Sequence, residues 1–271
     1  QRQAGRPAAI SAEALSSALP GKPVPTITTG VWRARPRHAF WVVVCLAAAL
    51  AAMRAMGMLG PASLRGLLPL GFVLMAIAPW VLLTQHGRRQ IGVRKASTNR
   101  VYVQAVVCGA LAAVACGALG LALFGAGADN WYASIADYYR RSVPTAGLGL
   151  LQLHLIFTLP ALLFSPVGEE LFFRGILQRA LEDRFSARAA TTGECALFGL
   201  VHACHHGLVA SAAGISLLPR SAALWVLLMF AVAWMFAWLR KRSGSLYPAM
   251  AAHAAFNLAM NIFIFLLLWP R

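Results

Sequence analysis

Three short groups of polar residues interrupt an otherwise apolar sequence, and their residue types suit the hydrolysis of a peptide bond. The first is Ser165-Pro166-Val167-Gly168-Glu169-Glu170-Leu171-Phe172-Phe173-Arg174-Gly175. Pro166 suits the opening of a helix, with both acids in its first turns. Glu170 and Arg174 stand four apart with the acid first, the favourable order for a helical ion pair. Glu169 then points about 100° away from Glu170 and is free to face another element. Adjacent carboxylates in a low dielectric repel, so a guanidinium holding Glu170 ionised leaves Glu169 as the base that takes up a proton. The same acids also fit a solvated helix start at the membrane interface.

The second group, Phe198-Gly199-Leu200-Val201-His202, puts an aromatic ring and an imidazole on one helical face, where the histidine could hydrogen-bond a water. A structural histidine at a helix end fits equally. His205 and His206 read as outer-surface residues, although paired with His202 at spacings of three and four either would also suit a metal. The third group, His253-Ala254-Ala255-Phe256-Asn257, stacks imidazole and carboxamide on one face of an apolar span. Two uncharged donors aimed at one point suit an oxyanion hole, and they suit interhelical hydrogen bonds as well. His154 and Arg54 also fall in apolar runs without a partner at helical spacing, and read as packing or helix-end residues that snorkel. Together, a carboxylate base, a histidine to share its water and two donors hydrolyse an amide without a covalent intermediate.

The elements that must position these groups are set by lipid. Of 271 residues, 59% are hydrophobic and 12% charged, and the mean hydropathy is +0.67; a soluble domain carries roughly twice that charged fraction. The net charge of +16, from 24 basic and 8 acidic residues, would suit nucleic acid, but the basic residues lie in short stretches between apolar runs. That pattern is a topology signal, so the expected partner is a bilayer and not nucleic acid. Cysteines 45, 108, 116, 195 and 204 show no CxxC spacing and read as small buried hydrophobes.

Apolar stretches near 39–58, 67–84, 101–124, 147–165, 189–206, 221–239 and 245–268 predict about seven spans, six to eight, in an all-α multi-pass transmembrane bundle. The runs are continuous and not alternating, which excludes a β-barrel. An amphipathic helix over 166–185 is expected after the fourth span, dipping into the membrane at its start. Residues 1–38, rich in Ala, Pro, Ser and Thr with scattered Arg, read as a disordered basic cytoplasmic tail ahead of a transmembrane domain over 39–271. Opening on Gln1, the chain reads as a fragment or a trimmed chain. With the N-terminus inside, the basic stretches at Arg88–Arg100, Arg184–Arg188 and Arg240-Lys241-Arg242 share the cytoplasmic side. No internal repeat speaks for an inverted-repeat transporter.

Taken in order and in separate spans, Glu169-Glu170-x-x-x-Arg174, Phe198-x-x-x-His202 and His253-x-x-x-Asn257 resemble the CAAX protease and bacteriocin-processing (CPBP) family. The likeness extends to Phe173-Arg174-Gly175 and to Arg242-Ser243-Gly244-Ser245-Leu246-Tyr247-Pro248 ahead of the last histidine. It covers a core at about residues 145–260; the first three spans match only in hydrophobic character. The resemblance implies a membrane-embedded endopeptidase similar to the Ras-converting CAAX endopeptidase. Glu169 would activate water, His202 would help position it, His253 and Asn257 would stabilise the oxyanion, and Glu170 with Arg174 would hold the helix. It favours a reaction that requires no cofactor, while zinc held by Glu169, His202 and His253 stays open because of the two extra histidines. Rival readings are a bacteriocin-immunity or scaffold protein of the same fold, and a proton-coupled carrier using the same intramembrane groups. The expected substrate is a membrane protein or peptide: a C-terminal sorting anchor, a leader peptide or a prenylated tail. The Ala- and Arg-rich composition points to a bacterial cytoplasmic membrane.

Overall fold

The computed structural model describes residues 36–211 and 214–269. The expected tail therefore lies almost entirely outside the described residues. From Pro36 the chain forms α1 (Pro36–Leu59), a 3-10 turn (Ala62–Leu64), α2 (Leu67–Leu82), α3 (Gln85–Gln90), α4 (Arg100–Phe124) and α5 (Trp131–Ser142). Next come α6 (Leu150–Glu169), a π-helical stretch (Glu170–Leu177), α7 (Gln178–Glu182) and α8 (Ala187–Val201), closed by a 3-10 turn (His202–Cys204). An antiparallel hairpin, β1 (Leu208–Ser211) with β2 (Gly214–Leu217), leads into α9 (Pro219–Ser243) and α10 (Tyr247–Phe263), which ends in a π-helical turn (Ile264–Leu268).

Among the described residues six helical segments are long and apolar enough to cross a membrane: Ala39–Leu59, Ala62–Leu82, Arg100–Phe124, Leu150–Glu182, Pro219–Ser243 and Tyr247–Leu268. Their outer faces carry large apolar side chains, such as Val103 at 68% and Leu151 at 69% exposure, which water would penalise and lipid does not. The protein is an all-α, multi-pass membrane bundle.

The expected span at 189–206 is instead α8, only 15 residues long. It packs against α7, α9 and the π-helical stretch, leaves Leu197 and Leu200 exposed on its outer face, and is shorter than the roughly 20 residues that cross the hydrocarbon unaided. Nor is there a separate amphipathic helix over 166–185: α6, the π-helical stretch and α7 follow one another without a break, and Pro166 lies inside α6 rather than at a helix start. Prolines are tolerated within such helices where neighbouring groups re-satisfy the backbone, and here the helix widens to the π form directly beyond Pro166.

Two apolar cores flank the middle of the molecule. One joins α4, α5 and α10 to the Trp225-Met229-Val232-Phe236 face of α9. The other joins α1, α2, the π-helical stretch and α8 to Ala233 and Ala237 on an adjoining face of α9. Two glycines bring backbones together beside the polar residues. A Cβ on Gly109 of α4 would sit 2.0 Å from the Ala252 carbonyl oxygen of α10, and one on Gly168 of α6 would sit 2.5 Å from that of Phe72 in α2. Each glycine adjoins a residue of the polar motifs in space or sequence, Ala252 preceding His253 and Gly168 preceding Glu169.

The basic loops gather at one end of the bundle. The loop over 91–99 binds the α9–α10 turn through Arg94 Nε, which donates to the Gly244 carbonyl at 2.7 Å, and through the Leu246 amide, which donates to Gly92 at 2.9 Å. Arg184 packs over Phe40 near the start of α1. Gly244, in the left-handed conformation, stops α9, and Pro248 sits in the first turn of α10. The run ahead of the last histidine is thus the tight turn that reverses the chain and launches the helix carrying His253 and Asn257.

Candidate active site

Glu169 ends α6 and Glu170 begins the π-helical stretch, both buried almost completely. The expected helical pair forms: Arg174 Nη1 lies 3.2 Å from Glu170 Oε1. His253, brought in by α10, stands between the two acids. Its Nδ1 is 2.9 Å from Glu170 Oε1, and its Nε2 faces Glu169 Oε2 at 3.6 Å and Ser165 Oγ at 3.4 Å. An acceptor on one side makes Nδ1 the protonated nitrogen. Glu169 Oε2 accepts no hydrogen bond from the described residues.

Glu169 Oε1 is taken by Arg54 of α1, 115 residues away in sequence. Arg54 is 3% exposed. It does not snorkel, because its partner lies inside the bundle and its guanidinium also packs 5.4 Å from the Phe72 ring. A second acid unforeseen in the motifs, Glu194 of α8, lies 3.4 Å from Arg174 Nε. Arg174 is therefore held between two carboxylates, with Phe198 at 4.1 Å and Phe236 at 5.3 Å over its guanidinium carbon. Glu194 stood inside an expected span, and that position was its signal; Arg54 had the same signal without any spacing to name a partner.

His202 donates from Nδ1 to the Phe198 carbonyl at 2.7 Å, and Trp225 Nε1 donates to the His202 carbonyl at 3.0 Å, so its ring is fixed with Nε2 as the acceptor. The ring lies 4.3 Å from Phe198, as the spacing predicted. Among the described residues no hydrogen bond joins His202 to Glu169 or His253; what they share is the wall of one cavity of about 340 Å³. Asn257 is on that wall too, but Nδ2 donates one of its hydrogens to the Ala161 carbonyl at 2.9 Å, leaving the second as the free donor. The rest of the wall is mainly apolar and aromatic, including Phe72, Phe157, Trp225, Met229 and Phe256.

His205, expected at the outer surface, lines this cavity instead and stacks on His202 at 5.0 Å, because the 3-10 turn folds it back under the bundle. His206 is buried, with Nδ1 2.8 Å from Ser134 Oγ of α5. Burial pushes its imidazole down from the ordinary 6.5 to about 4, against the pull of Asp129, so it stays a neutral tether between α5 and the turn after His202. His154 is a packing residue, 3.3 Å from Thr158 Oγ1 and edge-on to Phe265. Asn261 repeats the four-residue step of His253 and Asn257; its Nδ2 donates to Thr158 Oγ1 at 3.0 Å and its Oδ1 accepts from the Tyr139 hydroxyl at 2.9 Å.

Among the described residues no group of three His, Cys, Asp or Glu side chains is arranged to hold a metal; the Nδ1 atoms of His202 and His253 are taken by the Phe198 carbonyl and Glu170, leaving each Nε2 as the available nitrogen, and the Arg54 guanidinium on Glu169 opposes a dication there.

Residues 151–259 match the family model described as type II CAAX prenyl endopeptidase Rce1-like. No curated protein and no solved structure matches the chain. The matched stretch holds Glu169, Glu170, Arg174, Glu194, His202, His253 and Asn257, while Arg54 lies outside it. Through the segment that builds this site the chain is similar to the CAAX prenyl endopeptidases of that family model, and it is an integral, multi-pass membrane protein.

Proposed function

We propose that the protein is an intramembrane endopeptidase that hydrolyses a peptide bond of a membrane-associated substrate with water activated by Glu169. One observation carries this reading: a buried carboxylate oxygen, Glu169 Oε2, meets no donor from the described residues while standing beside His253 Nε2 on the wall of a mainly apolar cavity. A water bound there gives a proton to Glu169 as its oxygen bonds to the substrate carbonyl carbon. His202 Nε2 accepts the water's other hydrogen and orients it. The developing oxyanion takes the second Asn257 amide hydrogen, and His253, oriented by Glu170 through Nδ1, stands beside it as the second stabilising group. As the C–N bond breaks, the proton on Glu169 passes to the leaving amine. A positioned base contributes about 10²–10⁴-fold and an oxyanion donor about 10²–10³-fold.

The apolar walls favour a substrate segment that itself resides in lipid: a C-terminal sorting anchor, a leader peptide or a prenylated tail. The clustered basic loops favour a cytoplasmic location for that end of the bundle, and a bacterial cytoplasmic membrane remains the proposed setting. The test compares membrane proteomes of cells carrying the wild type, Glu169→Gln or His253→Ala at equal abundance. Substrates should accumulate uncut with either variant. Unchanged cleavage in both variants overturns the proposal, and proton flux that depends on Glu169 without any cleaved product would establish a carrier in its place.

A further inference from the structure

Arg54 is a buried charge for which the proposed chemistry has no use. An arginine at membrane depth costs roughly 3 kcal/mol or more on insertion scales, so its retention in the last third of α1 calls for a partner, and that partner is Glu169 Oε1. The other charged and titratable groups around Glu169 do not replace it. Glu170, next in the chain, has the same sign. Arg174 is divided between Glu170 and Glu194. His253 is shared with Glu170, and His202 and His205 line the cavity without an ion pair to Glu169, as Cys204 lies without one beside Arg54. Among the described residues Arg54 is thus the one guanidinium or ammonium within ion-pair distance of Glu169.

We infer that Arg54 is a positioning residue for the base: its guanidinium draws Oε1 towards α1, keeps the carboxylate ionised beside Glu170, and thereby turns Oε2 to the cavity. The inference rests on the reading of Glu169 as the base. It also makes α1, which lies outside the family-matched stretch, a necessary part of the site.

The experiment uses the purified full chain as wild type, Arg54→Lys, Arg54→Met and the double variant Arg54→Met/Glu169→Gln, and reads cleavage against pH together with the infrared band of protonated carboxyl groups. Removing an opposite charge at this range moves a carboxylate's titration by about 1–3 pH units. Arg54→Met should therefore move the acidic limb of the kcat profile upward by that amount, a loss of about 10–1,000-fold below the limb, with KM little changed. Arg54→Lys should restore the wild-type limb. A protonated-carboxyl band in excess of the wild type's should appear at neutral pH in Arg54→Met, and that excess should be absent in Arg54→Lys and the double variant. An Arg54→Met protein with the wild-type limb and no such band overturns the inference. If the wild type cleaves nothing, the proposed function fails while the infrared comparison still decides the role of Arg54. Should Arg54→Met not accumulate, Arg54→Gln, which keeps a donor on Oε1 without the charge, replaces it in both measurements.

Discussion

Arg174 is where the polar site and the packing of the bundle meet, since one guanidinium serves Glu170, Glu194, Phe198 and Phe236 at once. Removing one partner of a buried ion pair costs about 3–5 kcal/mol, because the other charge is left without compensation. Arg174→Met strands two carboxylates, and should lower stability in detergent by at least that much in thermal or denaturant unfolding. Glu194→Gln, which keeps a hydrogen-bonding side chain and leaves Arg174 with Glu170, should lower it by less than half as much. A second prediction concerns metal. With Glu169 held by Arg54 and facing His253, chelator-treated protein should retain cleavage and contain no stoichiometric zinc; activity lost on chelation and restored by zinc would refute the glutamate mechanism. The residues legible beforehand were those whose partner lay one turn away on the same helix, as Glu170 with Arg174. Arg54 and Glu194 were not, because their partners arrive from other helices and no periodicity records that distance.

At the level of elements, two glycine contacts set the separation of the helices that carry the site. Gly168→Ala puts a methyl 2.5 Å from the Phe72 carbonyl oxygen, so α2 and α6 must part just where Glu169 is held. Gly109→Ala does the same to α4 and α10 beside His253. Both should cost about 1–3 kcal/mol of stability, as overpacking does, and reduce cleavage at least tenfold at matched protein levels. Gly71→Ala is the control. It also lies in a helix, a Cβ there meets nothing within 4 Å, and the exchange should be neutral or stabilise by up to about 1 kcal/mol. The misjudged elements have the same origin. Pro166 looked like a helix start because proline favours the first turn, yet it lies inside α6, four residues ahead of the π-helical stretch that begins at Glu170. The segment over 189–206 is shorter as a helix than its hydropathy suggested, because α8 gives way to a 3-10 turn at His202 and hydropathy does not mark where a helix stops.

At the level of the whole molecule, the loop over 91–99, the α9–α10 turn and the Arg184 region share one end, while Arg65 reaching the Arg141 carbonyl, and the hairpin following His206, mark the other. In a cysteine-free background, Lys95→Cys and Arg242→Cys should react with a membrane-impermeant thiol reagent from the same side and Val209→Cys from the opposite side. With the N-terminus inside, Lys95→Cys and Arg242→Cys react only once the cytoplasmic face is opened. Labelling of Lys95→Cys and Arg242→Cys from opposite sides would break the topology. By itself the sequence determined the membrane as solvent, the helical class, the basic end and the three motifs, because hydropathy, charge asymmetry and four-residue spacing are local properties of the chain. Only the tertiary structure decided that Arg54 joins Glu169, that Glu194 joins Arg174, that Asn257 gives one hydrogen to Ala161 and that His205 enters the cavity. Those pairings exist because a buried charge must find its counter-ion across helix interfaces, and which faces meet is set by packing and not by any period in the sequence.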